Sequence, residues 1–186
     1  ALTRHPLAPL SSTIATAVEV CADRLTAYGA SVDRSPSLPA LEELHGDYVR
    51  LLNTVMFRGA PPAGGEPLTL RQWFDTADRH AQAGRAWDAV LSERYGVILA
   101  PVFGTTAFPI DDLDIGSRTL DIDGETVPFA PQLAWAGMAA YSGLPAVSFP
   151  VGTDDLGLPI GLQLIGPRFG DRSIIRLAET LAVHHA

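Results

Sequence analysis

The sequence has 186 residues, 47% of them apolar and 18% charged, with a formal net charge of −8. That length accommodates one domain of ordinary size, and a chain of roughly 150 residues buries close to 70% of its unfolded surface, so its core needs no metal or disulfide staple. All 13 basic residues are arginine, which excludes from this chain every mechanism that needs a lysine amine, from Schiff bases to Ser-Lys acyl transfer to the P-loop.

The first element is a helix. Ile14, Val18, Cys21, Leu25 and Tyr28 recur at steps of three and four, with Ser11, Ser12 or Thr13 as N-cap and Gly29 as the stop. Residues Ala30–Ser35 read as a short strand. Leu41, Leu44, Tyr48, Leu51 and Val55 mark a second helix that ends before Gly59, and the Pro- and Gly-rich stretch 61–67 is a loop. A third helical region starts near Leu68, with Leu70, Trp73, Phe74, Ala77 and Ala81 on one side, a soft point at Gly84, then Trp87 and Leu91. Its aromatic residues are expected in the core.

At Gly96 the period changes: Val97–Ala100 is a short apolar run closed by Pro101, the pattern of a strand buried on both faces. The aperiodic stretch Val102–Asp114 follows as a loop. Asp123-Gly124 joins Arg118–Ile122 to Thr126–Phe129 as a hairpin. A helix from about Ala130 to Tyr141 leads to two strands, Leu144–Val151 and Leu158–Gly166, expected to pair. Ile174, Leu177, Ala178 and Leu181 close the chain as an amphipathic helix capped by Asp171. Alternating helices and strands predict an α/β fold, a layered α/β/α arrangement around a mixed sheet.

Charge and composition limit the partners. Twenty-one carboxylates and no basic cluster argue against nucleic acid. The 28 uncharged residues from Thr126 to Thr153 exceed the roughly 20 of a membrane helix, but prolines 128, 131, 145 and 150 break them into buried helix and strand. No membrane partner is expected. The single Cys21 forms no intrachain disulfide, which suits a reducing, cytoplasmic setting; on its helical stripe it reads as a buried apolar residue and not a nucleophile.

The catalytic inventory is thin. Ser142 and Ser148 lie near glycines but form no G-x-S-x-G elbow, and Ser148 alternates within an apolar strand. His5, His45, His80, His184 and His185 have no zinc-ligand spacing, and Asp111, Asp112 and Asp114 lack the EF-hand pattern. Gly152, Gly157, Gly161 and Gly166 match no phosphate loop and fit the ends and turn of a strand pair. Neither a metal nor an organic cofactor is expected.

Four stretches carry a family resemblance in order: Tyr95–Pro101, Arg118–Gly124, Ser142–Gly152 and Gly157–Pro167. Together with Asp171 and the closing helix they resemble the C-terminal part of the amidase signature family of serine hydrolases, strongly after residue 95 and weakly between 36 and 94. Gly96 and Ala100 stand where the family often has Asp and Thr, and Tyr141 where a helix-end Asn is common.

The resemblance implies that residues 1–186 form the C-terminal portion of a single amidase signature domain, with the N-terminal catalytic half outside the chain. It further implies an enzyme that hydrolyses the carbon–nitrogen bond of a small carboxamide through a Ser, a cis-Ser and a Lys. No catalytic residue can be placed in this chain, which alone is expected to be inactive. Its expected partners are a small-molecule amide and the N-terminal half of the same fold, with a homodimer left open. By the same likeness, part of the acyl-side pocket is expected on the loop carrying Phe103, Thr105, Thr106 and Phe108. The alternatives are a non-catalytic binding or assembly module on the same scaffold, and a fragment of an aminoacyl-tRNA amidotransferase catalytic subunit.

Overall fold

In a computed structural model, described for residues 1–58 and 67–182, the N-terminal segment runs along the sheet and donates from the Leu2 amide to the Leu99 carbonyl. Helix α1 (Ser12–Ala27) then starts where the Ser11 hydroxyl accepts the Ile14 N–H, as expected of the cap. Its stripe of Ile14, Val18, Cys21 and Leu25 is buried, whereas Tyr28, at the helix end, is exposed.

Residues 30–35 are not a strand. Among the described residues no strand pairs with them to complete a ladder, and their polar groups are taken elsewhere. The Asp33 carbonyl accepts from the terminal amine, the Asp33 carboxylate from Tyr95, and Arg34 pairs with Glu19 and Asp23.

Helices α2 (Leu41–Met56) and α3 (Leu70–Glu93) follow, and the loop expected at 61–67 lies, apart from Pro67, outside the described residues. Helix α3 opens with a capping box in which Thr69 and Gln72 satisfy each other's backbone amides. It runs through Gly84 unbroken. Trp87 and Leu91 are in the core as expected, but Leu70, Trp73 and Phe74 are exposed. The inward face at this end of α3 is set by Thr76, fully buried, and not by the aromatics.

The strands are β1 (Ile98–Pro101), β2 (Thr119–Ile122), β3 (Glu125–Pro128), β4 (Ala146–Thr153) and β5 (Pro159–Ile165). Between β3 and β4 a 3-10 turn (Ala130–Gln132) feeds helix α4 (Leu133–Ser142), and α5 (Asp171–Leu181) ends the described chain. Strands β2 and β3 form the expected hairpin, with both turn residues at positive φ, Asp123 at 54° and Gly124 at 86°. The other three make a sheet in the order β1-β5-β4, each described ladder antiparallel. Asp171 is the first residue of α5 but does not cap it through its side chain; Gly170 holds the cap position.

Side-chain alternation divides this sheet between two cores. Ile98, Ala100 and Ile165 face Leu44, Trp87, Trp135 and Met138 of α2, α3 and α4. Leu99, Leu162 and Leu164 face Ile14, Val18, Ile174 and Leu181 of α1 and α5. The layers are therefore helices, sheet, helices. Strand β1 is buried along its whole length, but β4 is not: Ala146, Ser148 and Pro150 are exposed on the side that α2–α4 cover elsewhere. On its outer edge β4 has no strand neighbour among the described residues.

Candidate functional site

The loop leaving β1 is held at three points. Gly104 donates from its amide to Oε1 of Gln132 at 2.9 Å, and Gln132 donates through Nε2 to the Pro9 carbonyl at 2.9 Å. The Gly104 carbonyl accepts from the Ser11 amide at 2.8 Å. Gly104 is required there: a Cβ would collide with both the Gln132 side chain and the Pro9 carbonyl. Further along, Thr106 donates to the Asp154 carboxylate at 2.9 Å, tying the loop to the β4–β5 turn. Loss of hydration alone would raise the Asp154 carboxyl, but it also accepts from the Leu158 and Leu156 amides, and these hydrogen bonds together with that of Thr106 hold it below the usual carboxylate range.

So pinned, the loop presents the four residues singled out in the sequence to one place. Phe103, Thr105, Thr106 and Phe108 line a surface hollow of about 360 Å³, closed opposite by Ser148 and Gly161 on the bare side of the sheet. Phe103 and Phe108 stack with centroids 5.5 Å apart, and Phe129 packs against both at 5.6 and 5.9 Å. Phe129, Gln132, Ser148 and Asp154 were not foreseen as site residues. The hairpin turn and strand alternation located Phe129 and Ser148 without indicating that they meet the loop. Behind Phe108 a second hollow of about 410 Å³ carries Asp111 and Asp121.

Elsewhere the candidate nucleophiles are enclosed in the fold: Ser142 is fully buried, its hydroxyl without a hydrogen-bond partner among the described residues. Burial raises the Cys21 thiol above its ordinary pKa, the opposite of what a nucleophile needs. Asp111 accepts the Leu113 amide as a turn, and among the described residues no cluster of His, Cys, Asp and Glu is arranged to hold a metal ion. His184 and His185 lie outside the described residues. A larger hollow of about 620 Å³ beside Arg4, Glu19 and Arg34 lies by the N-terminal segment, where Arg34 is already paired. Among the described residues no helix is long and apolar enough to cross a membrane.

The family model described as Amidase matches residues 66–175. A glutamyl-tRNA(Gln) amidotransferase subunit from Halothermothrix orenii is 37% identical over 87 residues, 47% of this chain and 16% of that protein. Fatty acid amide hydrolase of Oryza sativa subsp. indica is 31% identical over 163 residues, 77% of this chain and 26% of that protein. The structure of 6-aminohexanoate cyclic dimer hydrolase complexed with substrate aligns with a TM-score of 0.70 at 20% identity, covering 95% of this chain and 42% of that one. A bacterial aryl acylamidase of the amidase signature enzymes aligns at 0.65 and 20% identity, covering 97% and 42%. At such identities the structural likeness establishes the fold alone. The chain spans about a quarter or less of these two curated relatives and about two fifths of the solved structures.

Proposed function

The chain belongs to the amidase family, and from that premise we propose that residues 1–186 are the C-terminal portion of one amidase signature domain, in an enzyme that hydrolyses the C–N bond of a small carboxamide. The match of residues 66–175 to the amidase model carries this reading. The outer edge of β4, which has no strand neighbour among the described residues, supports a sheet that continues into a second half, and the bare side carrying Ser148 supports a further layer over it.

In the proposed reaction a Lys outside this chain acts through a cis-Ser to take the proton of a nucleophilic Ser, also outside it. The Ser oxygen bonds to the amide carbon and backbone N–H groups hold the oxyanion. The C–N bond then breaks, the nitrogen leaves with a proton as ammonia or an amine, and water releases the acyl group as a carboxylic acid. This chain supplies sheet, covering helices and the hollow at Phe103, Thr105, Thr106 and Phe108. Sequence identity with a glutamyl-tRNA(Gln) amidotransferase favours a second reading, transamidation of an aminoacyl-tRNA. The net charge of −8 and the absence of a basic cluster weigh against it for this segment.

Ammonia release from acetamide and benzamide tests the proposal. The full-length protein is expected to release it and the 186-residue chain alone is not. Turnover by the isolated chain would refute the division of labour; binding without turnover by the full-length protein would favour a non-catalytic module.

A further inference from the structure

The turn between β2 and β3 carries the sequence's one Asp-Gly pair, Asp123-Gly124; every other aspartate precedes a residue with a side chain, and the single asparagine, Asn53, precedes Thr54. An aspartyl side chain has the length to close a five-membered ring on its own main chain. The ring forms when the amide nitrogen of the following residue attacks the side-chain carbonyl carbon, and a glycine there leaves that nitrogen unscreened by any Cβ.

In this turn both partners of that reaction are engaged elsewhere. The Asp123 carboxylate accepts from the Ser12 amide at 2.7 Å and from the Ser12 hydroxyl at 3.2 Å, while the Gly124 amide donates to the Asp121 carboxylate at 3.0 Å. One reactant is drawn to the start of α1 and the other back to β2, so ring closure requires local opening of the link to Ser12. We infer that Asp123-Gly124 is a site of spontaneous isoaspartate formation whose rate is set by how often that link opens. In the reaction the Gly124 nitrogen bonds to the side-chain carbonyl carbon of Asp123, and its proton leaves with the carboxyl OH as water, giving a succinimide. Water then adds to the ring's main-chain carbonyl and breaks that carbon's bond to the Gly124 nitrogen, leaving the nitrogen held through the side-chain carbonyl. The product has the mass of the starting chain, with an extra methylene in the main chain and the free carboxyl on the α-carbon. It no longer fits a two-residue turn, and α1 loses its acidic partner.

The test ages full-length protein at neutral pH and physiological temperature, and reads aspartyl, succinimide and isoaspartyl forms by peptide mapping. Ser12→Pro removes both donors and suits its place, since it is the first residue of α1 and Ser11 before it already lies at φ −66° and ψ 151°. It is expected to speed isomerisation at Asp123 about tenfold, the effect on the open population of losing one charge-assisted hydrogen bond. Ser12→Ala, which keeps the N–H, is expected to fall between the unchanged protein and Ser12→Pro. Gly137→Ala, which crowds Tyr48 at the crossing of α2 and α4, is expected to leave the rate unchanged, separating local opening from general loss of stability. Equal rates in the unchanged protein and Ser12→Pro overturn the inference, as does isoaspartate arising first at another aspartate. Its absence from Asp123 in every variant overturns it as well.

Discussion

Gln132 is fully buried and spends its amide on two backbone groups of different segments. Gln132→Leu strands the Gly104 N–H and the Pro9 carbonyl, each costing about 1–3 kcal/mol. A lowered melting temperature of the full-length protein, with weakened binding at the hollow, is the expected result. His5 offers a pH-dependent counterpart. Its Nδ1 accepts the Leu7 amide, its ring meets Trp135 edge-on, and its buried Nε2 has no partner among the described residues. Burial first, and the nearby His45 second, lower its pKa from 6.5 to about 4. Because the folded pKa is depressed, the unfolded chain takes up a proton that the folded one refuses, so stability is lost as pH falls from 6.5 towards 4. The loss is on the order of 3 kcal/mol. Denaturation midpoints at about pH 7, 5.5 and 4.5, which step down into that window, check this: His5→Phe should flatten the slope, and an unchanged slope would sink the assignment. Periodicity alone separated the loop at Phe103–Phe108 from its strand. It gave no sign of Gln132 or Asp154, whose partners lie 28 and 48 residues away.

Between elements, the contacts that matter are those that bring a turn or a glycine to a helix. The hairpin turn lends its Asp123 carboxylate to the start of α1, accepting from the Ser12 amide at 2.7 Å and from its hydroxyl at 3.2 Å. Asn tolerates the positive φ of that turn. Asp123→Asn therefore removes mainly the charge at the helix N-terminus, a loss of about 0.3–1 kcal/mol that shrinks in salt. Parallel denaturation at low and high ionic strength would show it. Helix α4 meets α2 where the Tyr48 ring lies on Gly137, and a Cβ there would come within 2.8 Å of the ring. Gly137→Ala gains about 1 kcal/mol of helix propensity but overpacks the crossing by roughly 1–3 kcal/mol. A net fall in melting temperature is expected, larger for Gly137→Val. Helix stripes located α1 and α2 because one apolar face repeats. They misplaced Trp73 and Phe74, since periodicity finds an apolar face without saying whether anything covers it. Residues 30–35 look strand-like for a related reason: a strand needs a neighbour, and local sequence does not supply one.

At the scale of the whole fold, an eight-residue strand whose outer edge is unpaired among the described residues, and whose face is partly bare, is an association liability. The chain produced alone is expected to sediment as dimers or larger species, and the full-length protein without that tendency; a dispersed isolated monomer would count against a sheet that continues beyond β4. The three-layer arrangement was legible in the alternation of helices and strands. The bare side of β4 was not, because Leu144–Val151 carries no charged residue to mark an exposed face and only Ser148 among its apolar residues is polar.

The link between Ser12 and Asp123 also orders events in time. It spans 111 residues, and the Arg24 guanidinium reaches the Leu181 carbonyl across 157. A ribosome adding about 5–20 residues per second leaves the start of α1 without its acidic partner for roughly 6–20 s after it emerges. For that interval its apolar stripe has neither the β5 strand nor α5 to lie against. Nascent chains stalled before Asp123 should therefore bind holdase chaperones through residues 12–27, and release them once α5 has been made.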